Sequence, residues 1–313
     1  LNTQELQFLK KNDDELLTPY LIHRYKFNHF ENNKELSDFP LYLILEPTSI
    51  CNLRCPFCHQ AEESFTKNKE MLGNMDVNLF KKIVDEAYAE GTKAITLTCR
   101  GEPTLHPDLN EMLMHCKGKF IEFKMNTNAT KMKDEFIHTV LQSGITDMVF
   151  SADSFFKEEY ESLRIGAVFE EILENIKRFK EIRDKEYPKS KCVTRISGVQ
   201  VSDKQDPEKF KEFWEQYVDF VVMVRMLNRW DIYNNSTDEM AQKPCHYLGR
   251  SLSIYYDGSV IPCDMDYKGE LALGSLKDFS IKEIWNSKKY KNLVEAHRDN
   301  RRSEIFPCDR CPS

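Results

Sequence analysis

Along this chain the hydrophobic positions change period repeatedly, from short apolar runs to amphipathic stretches and back. "LYLILEP" (Leu41–Pro47) reads as a buried strand that leads directly into a cysteine-rich loop. In "VNLFKKIVDEAYAEG" the apolar residues Val77, Phe80, Ile83, Val84 and Ala87 share one helical face, and Gly91 supplies the stop. The alternation continues through strand Ala94–Thr98, helix Asp108–Cys116, strand Phe120–Asn126, helix Lys131–Gln142 and strand Asp147–Ala152. Helix Phe169–Arg183, strand Val193–Val201, helix Pro207–Tyr217 and strand Phe220–Leu227 complete the series. Strands separated by helices predict a parallel α/β sheet. A closed eight-unit barrel takes about 250 residues, whereas residues 41–230 hold only six units, so a partial (β/α)6 TIM-like barrel is expected. Residues 1–40 read as a charged helical extension ("LKKNDDELL") with little apolar content. Past Trp230 the alternation stops. "NNSTDEMAQK" is polar, "SLSIYYDGSVIPC" reads as a hairpin turning at Asp257-Gly258, and "SIKEIWNSKKYKNLVEAHR" as an amphipathic helix. A small C-terminal α+β domain over 231–313 is the expectation.

Composition narrows the function classes. The 313 residues are 41% hydrophobic and 30% charged, with no apolar run near the roughly 20 residues a membrane span needs. The start "LNTQELQFLKKNDDELL" shows no basic region followed by an apolar stretch, so no signal peptide is expected and the cytoplasm is the default compartment. Ten cysteines in a reducing compartment point to metal ligation or redox chemistry before disulfides. A net charge of -7, from 44 basic and 51 acidic residues, argues against nucleic acid as the main partner.

The chemistry concentrates in two cysteine groups. "CNLRCPFCHQ" places Cys51, Cys55 and Cys58 at C-x3-C-x2-C spacing immediately after the first strand, and parallel sheets carry their sites at the carboxyl ends of strands. A zinc site needs four ligands, and His59 is available as a fourth. A cubic 4Fe-4S cluster held by three thiolates instead keeps one iron open to a substrate or cofactor. Near the C-terminus Cys245, Cys263, Cys308 and Cys311, as C-x17-C and a distant CxxC, fit a structural zinc site by arithmetic alone.

The cysteine motif, with Phe57 before the third cysteine, resembles the radical S-adenosylmethionine (SAM) superfamily. "CRGEPTLHPDL" (Cys99–Leu109) resembles that family's GGEP motif, with Arg100 where the first glycine is usual. The resemblance implies a 4Fe-4S cluster on Cys51, Cys55 and Cys58 whose open iron is chelated by SAM, and cleavage of SAM to a 5′-deoxyadenosyl radical. It places Phe57 beside the adenine, Gly101 and Glu102 at the SAM ammonium group, and Asn126, Asn128, Ser151 and Asp153 toward the ribose or methionine groups. In "LRIGAVFEEILENIKRF", Arg164 becomes the candidate partner of the SAM carboxylate.

"PCHYLGRSLSIYYDGSVIPCDMD" together with the final "CDRC" looks like the twitch or shortened SPASM extension of that superfamily. This implies an auxiliary 4Fe-4S cluster on Cys245, Cys263, Cys308 and Cys311, with every iron ligated and an electron-relay role. The spacing resembles the members that oxidise a cyclitol hydroxyl, the 2-deoxy-scyllo-inosamine dehydrogenase type. A dehydrogenase acting on a small-molecule substrate, a sugar or an aminocyclitol, is therefore expected, supplied by an external electron donor such as flavodoxin or ferredoxin. Alternatives are modification of a ribosomally made peptide, sugar epimerisation or dehydration, and a zinc-stabilised scaffold without catalysis.

"VRMLNRWD" ends the sixth strand beside the cluster module, which makes Arg225, Arg229 and Asp231, with Arg195 inside the fifth strand, the candidate catalytic residues. Trp230 belongs to the same seam. Cys99 is a candidate hydrogen donor to a substrate radical, while Cys116 and Cys192 read as packing.

Overall fold

A computed structural model describes residues 3–11, 14–29, 36–226, 232–234, 245 and 247–312. Six parallel strands form its centre: β1 (Tyr42–Leu45), β2 (Ala94–Leu97), β3 (Glu122–Thr127), β4 (Asp147–Ser151), β5 (Val193–Gln200) and β6 (Phe220–Arg225). Two helices precede them, α1 (Thr3–Lys11) and α2 (Asp14–Asn28). The crossovers carry α3 (Glu63–Thr66), α4 (Val77–Ala89), α5 (Leu109–His115), α6 (Asp134–Gln142), α7 (Lys157–Leu163), α8 (Phe169–Glu186) and α9 (Pro207–Trp214). After the barrel come β7 (Ser251–Ile254), β8 (Ser259–Ile261), β9 (Gly274–Ser275), α10 (Ile281–Trp285) and α11 (Lys288–Arg298). The sheet order is β6-β5-β4-β3-β2-β1-β7-β8-β9, with β6 and β9 at its two ends, so it stays open as a partial barrel. Among the described residues no helix is long and apolar enough to cross a membrane.

Each strand sorts its side chains between two environments. Leu43, Leu45, Leu97, Phe123 and Met125 are fully buried against helix faces such as Phe80, Ile83, Val84 and Ala87 of α4. The opposite face is polar. On β3 it carries Glu122, Lys124 and Asn126, in an alternation of half-buried and buried positions.

Three features extend or correct the sequence reading. First, the expected hairpin forms as β7/β8, and its first strand joins the barrel sheet. Strand β7 pairs in parallel with β1, from Tyr42↔Ser251 to Leu45↔Ile254, and extends the same sheet. Without it β1 would present a row of unpaired backbone groups. Second, the amphipathic stretch from Ser280 is two helices. Ser280 forms a capping box with Glu283, and Ser287 accepts from Tyr290 N to start a new helix two residues after the first ends. Third, the N-terminal helices are more apolar than their charge suggested. Phe8 and Tyr20 are buried and stacked at 4.0 Å, while Lys11 donates to Cys192 O and Asp219, fastening α1 to the lower ends of β5 and β6. Smaller differences lie at helix ends: α6 begins at Asp134, three residues later than read, and α8 runs on to Glu186.

Candidate active site

Two turns at the upper end of the barrel interlock. The loop after β1 is pinned from several sides: Met75 N donates to Pro47 O (2.7 Å), Ser49 N to Gly73 O (3.0 Å), and Arg54 N to Ile165 O (2.9 Å). Gln60, buried, donates through Nε2 to Ser49 O (2.8 Å) and Arg100 O (2.6 Å). Glu102 N donates to Ile50 O (2.8 Å), closing the turn after β2 onto the turn after β1. Gly101 makes this approach possible. A Cβ there would lie 2.3 Å from Thr48 O and 2.6 Å from Ile50 O. Replacing Gly101 with alanine is expected to keep the fold and weaken SAM binding by roughly tenfold or more, the 1–3 kcal/mol typical of overpacking. Equilibrium dialysis of reconstituted enzyme against labelled SAM measures it.

The resulting cavity of about 280 Å³ is lined by Cys51, Cys55, Phe57, Cys58, Gly101, Glu102, Asn126, Ser151 and Arg164. Phe57, Gly101, Glu102, Asn126, Asn128, Ser151 and Arg164, all read from the sequence toward the cofactor, therefore face one space. Asn126 Oδ1 is buried and makes no hydrogen bond among the described residues, so an acceptor is available there. Other groups are already engaged. Glu102 Oε1 accepts from Thr104 N, Thr104 Oγ1 (2.8 Å) and Thr127 Oγ1 (2.6 Å), and Oε2 accepts from Asn128 N (2.6 Å). Burial nevertheless pushes its carboxyl above the ordinary range. Only Oε2 keeps acceptor capacity. Arg164 forms a forked ion pair with buried Asp153, Nε to Oδ2 at 2.5 Å and Nη2 to Oδ1 at 3.0 Å, leaving Nη1 3.9 Å from Cys55 Sγ. Asp153 also accepts from Val199 N (2.8 Å) and does not line the cavity, whereas Asn128 lines it while donating to Asn52 Oδ1 (3.0 Å).

Cys51, Cys55 and Cys58 lie close enough to raise one another's thiols electrostatically, although burial is the main cause, bringing Cys51 up to about 12 and Cys58 to about 11. Thiols so placed ionise when a metal's positive charge compensates. His59 comes next in the loop. Its Nε2 meets Arg100 O at 3.3 Å, its ring stacks on Tyr267 at 4.8 Å, and burial lowers it to about 4. His59 Nδ1 lies 3.9 Å from Cys58 Sγ, and the cluster loop offers three thiols, the donor set of a cluster with one open iron.

The second group comes from the segments flanking β7 and β8 and from the turn at Cys308–Arg310. Burial raises the thiols of Cys245, Cys263 and Cys308, the last to about 12, and the neighbouring cysteines of this group push in the same direction. Buried Arg302 organises the last turn, donating to Cys308 O (3.0 Å) and Cys311 O (2.7 Å), and Cys245 N donates to His297 Nδ1 (3.4 Å). Backbone N–H groups of Tyr247 and Met265 point at Cys245 Sγ and Cys263 Sγ, at 3.4 and 3.5 Å. Among the described residues no three His, Cys, Asp or Glu side chains meet at the spacing a single metal ion demands. Thiolates on a cubic cluster sit at the corners of a wider body than the 2.3 Å shell of zinc.

Between the groups lies a second cavity of about 390 Å³, lined by Phe57, Cys58 and Cys99 on one side, Asp264, Met265 and Tyr267 on the other, and Val224 and Arg225 of β6 with Met226 just after it. Cys99 borders both cavities at φ 132°, a left-handed backbone costly for a side chain, and burial keeps its thiol protonated. Arg225 is exposed and 3.6 Å from Asp203. Arg195 lies deeper in the barrel, in register with Val149 and 5.7 Å from the Phe220 ring, away from this cavity. Arg229, Trp230 and Asp231 lie outside the described residues.

Sequence reasoning missed the ion pair that locks the two turns to the C-terminal segment. Arg100 Nε and Nη2 donate to Glu46 Oε2 (2.8 Å) and Oε1 (2.6 Å), Nη1 donates to Tyr267 O (3.1 Å), and the guanidinium lies 3.6 Å from the Tyr255 ring centre. The only available signal was the departure from glycine in "CRGEP".

Comparison with known proteins agrees with this geometry. The family model described as Radical SAM superfamily matches residues 45–213, and SPASM, an iron-sulfur cluster-binding domain, matches residues 245–312. A Pyrococcus furiosus tungsten-containing aldehyde ferredoxin oxidoreductase cofactor-modifying protein is 37% identical over 36% of this chain and 30% of its own length. The Bacillus subtilis antilisterial bacteriocin subtilosin biosynthesis protein AlbA is 25% identical over 87% of this chain and 65% of its own. The chain thus spans less than two thirds of either relative. The crystal structure of BtrN in complex with AdoMet and 2-DOIA shares the fold, with a TM-score of 0.60 at 17% identity, covering 87% of this chain and 92% of that one.

Proposed function

The chain belongs to the radical SAM superfamily and carries a SPASM iron-sulfur domain, and on that premise we propose that it dehydrogenates a hydroxyl-bearing carbon of a sugar or aminocyclitol-type small molecule. The observation that carries this reading is the 390 Å³ cavity walled on one side by the three-thiol loop and on the other by the residues directly after Cys263. When bound, the two clusters and SAM supply a 5′-deoxyadenosyl radical for hydrogen abstraction and an acceptor for the electron that the oxidised carbon gives up. The chain's own residues supply position. Gly101, Asn126 and Ser151 shape the SAM-side cavity, and Phe57 is the common wall that brings its contents against the substrate. Asp264, beside Cys263, presents an acceptor toward the substrate hydroxyl, and Arg225 is our candidate for a polar contact at the opposite rim.

Anaerobic incubation with SAM, a reductant and candidate aminocyclitols or nucleotide sugars deuterated at one carbinol carbon tests the reading. Deuterium is expected in 5′-deoxyadenosine, with a product lighter by the two hydrogens lost. An active preparation whose deoxyadenosine carries no deuterium from any carbinol position removes it. Replacing Cys263 with alanine is expected to leave SAM cleavage in place and abolish ketone formation, read by mass spectrometry of both products. A second reading, modification of a ribosomally made peptide, is favoured by the Bacillus relative, whose name gives it to bacteriocin biosynthesis and which aligns with 87% of this chain. Deuterium reaching deoxyadenosine only from a labelled peptide would favour it.

A further inference from the structure

The cysteine loop has an outer face as well as an inner one. Cys55 is buried and Cys51 and Cys58 are half-buried, whereas Ile50, Asn52, Arg54 and Pro56 between and before them are exposed. Two further segments close on this outer face. Asn52 Nδ2 donates to Thr130 Oγ1 (2.9 Å), and Gly166 lies so near that a Cβ there would be 3.2 Å from Asn52 O. Ile165, 49% exposed, directly follows Arg164, whose Nη1 is 3.9 Å from Cys55 Sγ. The patch is thus open surface within one residue of the thiols, and Ile50 and Ile165 are its exposed apolar side chains.

The charge of this patch has one sign. Residues 50–58, 129–133 and 164–168 contain no aspartate or glutamate, in a chain with 51 acidic residues and a net charge of -7. Arg54 is exposed yet held: its Nη1 donates to Cys51 O and Leu53 O, both at 2.8 Å, which fixes the guanidinium over the loop. Lys131 and Lys133, just beyond Thr130, are exposed as well. The neighbouring acids are already paired, Asp153 with Arg164 inside the protein and Asp134 with Arg178 at 2.7 Å. Segments of the auxiliary group have the opposite balance. Residues 263–270 and 308–311 carry Asp264, Asp266, Glu270 and Asp309 against Lys268 and Arg310. A negatively charged partner is therefore drawn to the first loop in preference to the second.

We propose that the outer face of the cysteine loop is the docking site of the external reductant, a small acidic electron-carrier protein, and that electrons enter here and not through the auxiliary module. Cleaving SAM to a 5′-deoxyadenosyl radical consumes one electron. In the entry step that electron leaves the carrier's flavin or iron-sulfur centre and is gained by the cluster on Cys51, Cys55 and Cys58, with no bond made or broken. Electron-transfer encounters are transient and bury less than about 1,200 Å², so two apolar side chains rimmed by Arg54, Lys131 and Lys133 form a sufficient footprint. The inference needs only SAM cleavage and is independent of the dehydrogenation reading.

The test follows cluster reduction by anaerobic stopped-flow absorbance in enzyme with both clusters reconstituted. The electron source is reduced flavodoxin, reduced ferredoxin, or dithionite at high salt, which needs no docking. At least one carrier is expected to reduce the wild type at a rate that falls as salt is raised. Arg54→Glu and Lys131→Glu should each slow that carrier about tenfold or more and leave the dithionite rate within about twofold. Because Arg54 also braces the loop, Lys131→Glu keeps the test independent of loop damage. In the wild type, adding the oxidised carrier should slow hydrogen exchange in residues 50–57, read by peptide mass spectrometry. Cys263→Ala should leave carrier-driven reduction of the first cluster unchanged. Failure of both carriers with the wild type, an unchanged carrier rate in Lys131→Glu, equal slowing with dithionite, or loss of the carrier rate in Cys263→Ala overturns the proposal. Docking at this face without deuterium transfer from any carbinol would overturn the dehydrogenation and leave the docking site standing. Deuterium transfer with carrier rates indifferent to both charge reversals would do the reverse.

Discussion

Replacing any one of Cys51, Cys55 and Cys58 with alanine should abolish 5′-deoxyadenosine formation, a loss of about a thousandfold or more, equivalent to about 4 kcal/mol of barrier. The reason is the donor count. The loop itself offers three thiols, and His59 is turned through Nε2 and its ring to Arg100 O and Tyr267, so losing one cysteine leaves the cluster only two loop thiolates. Stability should change far less. Without metal these thiols are neutral, burial holding Cys51 and Cys58 near 12 and 11, and they pack as small apolar groups. Each alanine variant of the metal-free protein should therefore unfold within about 1 kcal/mol of wild type. Iron content after reconstitution separates the two cysteine groups: a variant at Cys51, Cys55 or Cys58 should keep about half of it, on the auxiliary site. Deoxyadenosine production surviving in a Cys58→Ala variant would remove the proposed chemistry from this loop.

Most of the architecture was written in local periodicity. The six parallel strands and their helices each carry an apolar face of the right period, so reading them needed only nearest neighbours. What escaped notice was non-local or concealed by alternation. Pairing of Ser251–Ile254 with Tyr42–Leu45 leaves no trace within either segment, and "SLSI" reads equally well as an isolated hairpin strand. The break between α10 and α11 was masked because Ile281, Ile284, Trp285, Tyr290 and Val294 nearly keep one helical face, although Ser280 and Ser287 were present as caps. The polar face of β3 was legible only in part. Alternation in "FIEFKMN" says that Glu122, Lys124 and Asn126 share a face, but period two does not say whether that face meets water or a barrel interior. The cysteine loops were legible because their chemistry is carried by spacing within short segments. Asp153 and Glu102 were legible as polar strand ends, yet their partners Arg164 and Thr127 lie 11 and 25 residues away and only folding pairs them.

Replacing Arg100 with methionine should destabilise the protein by about 3–5 kcal/mol, the largest stability effect of any single substitution considered for this chain. Glu46 is fully buried, and its two oxygens accept from Arg100 Nε, Nη2 and N and from Tyr256 N. Removing the guanidinium leaves a carboxylate inside the protein with two backbone N–H donors and the neutral Cys99 thiol, which is far costlier than never having placed a charge there. Lysine is no substitute, since a point charge cannot span both oxygens, reach Tyr267 O and lie flat on Tyr255 together. The loss should be largely reversed in the double variant Glu46→Gln, Arg100→Met, where no buried charge remains. A coupling energy of about 2 kcal/mol or more in that cycle, from denaturant titration, is the expected signature. A coupling near zero would mean that the pair contributes nothing beyond its separate side chains. The double variant should still bind SAM more weakly than wild type, because Arg100 also ties the turn after β2 to the residues following Cys263. Restored stability with unrestored SAM affinity would assign Arg100 two separable roles: compensating a charge, and holding the SAM-side turn against the auxiliary module.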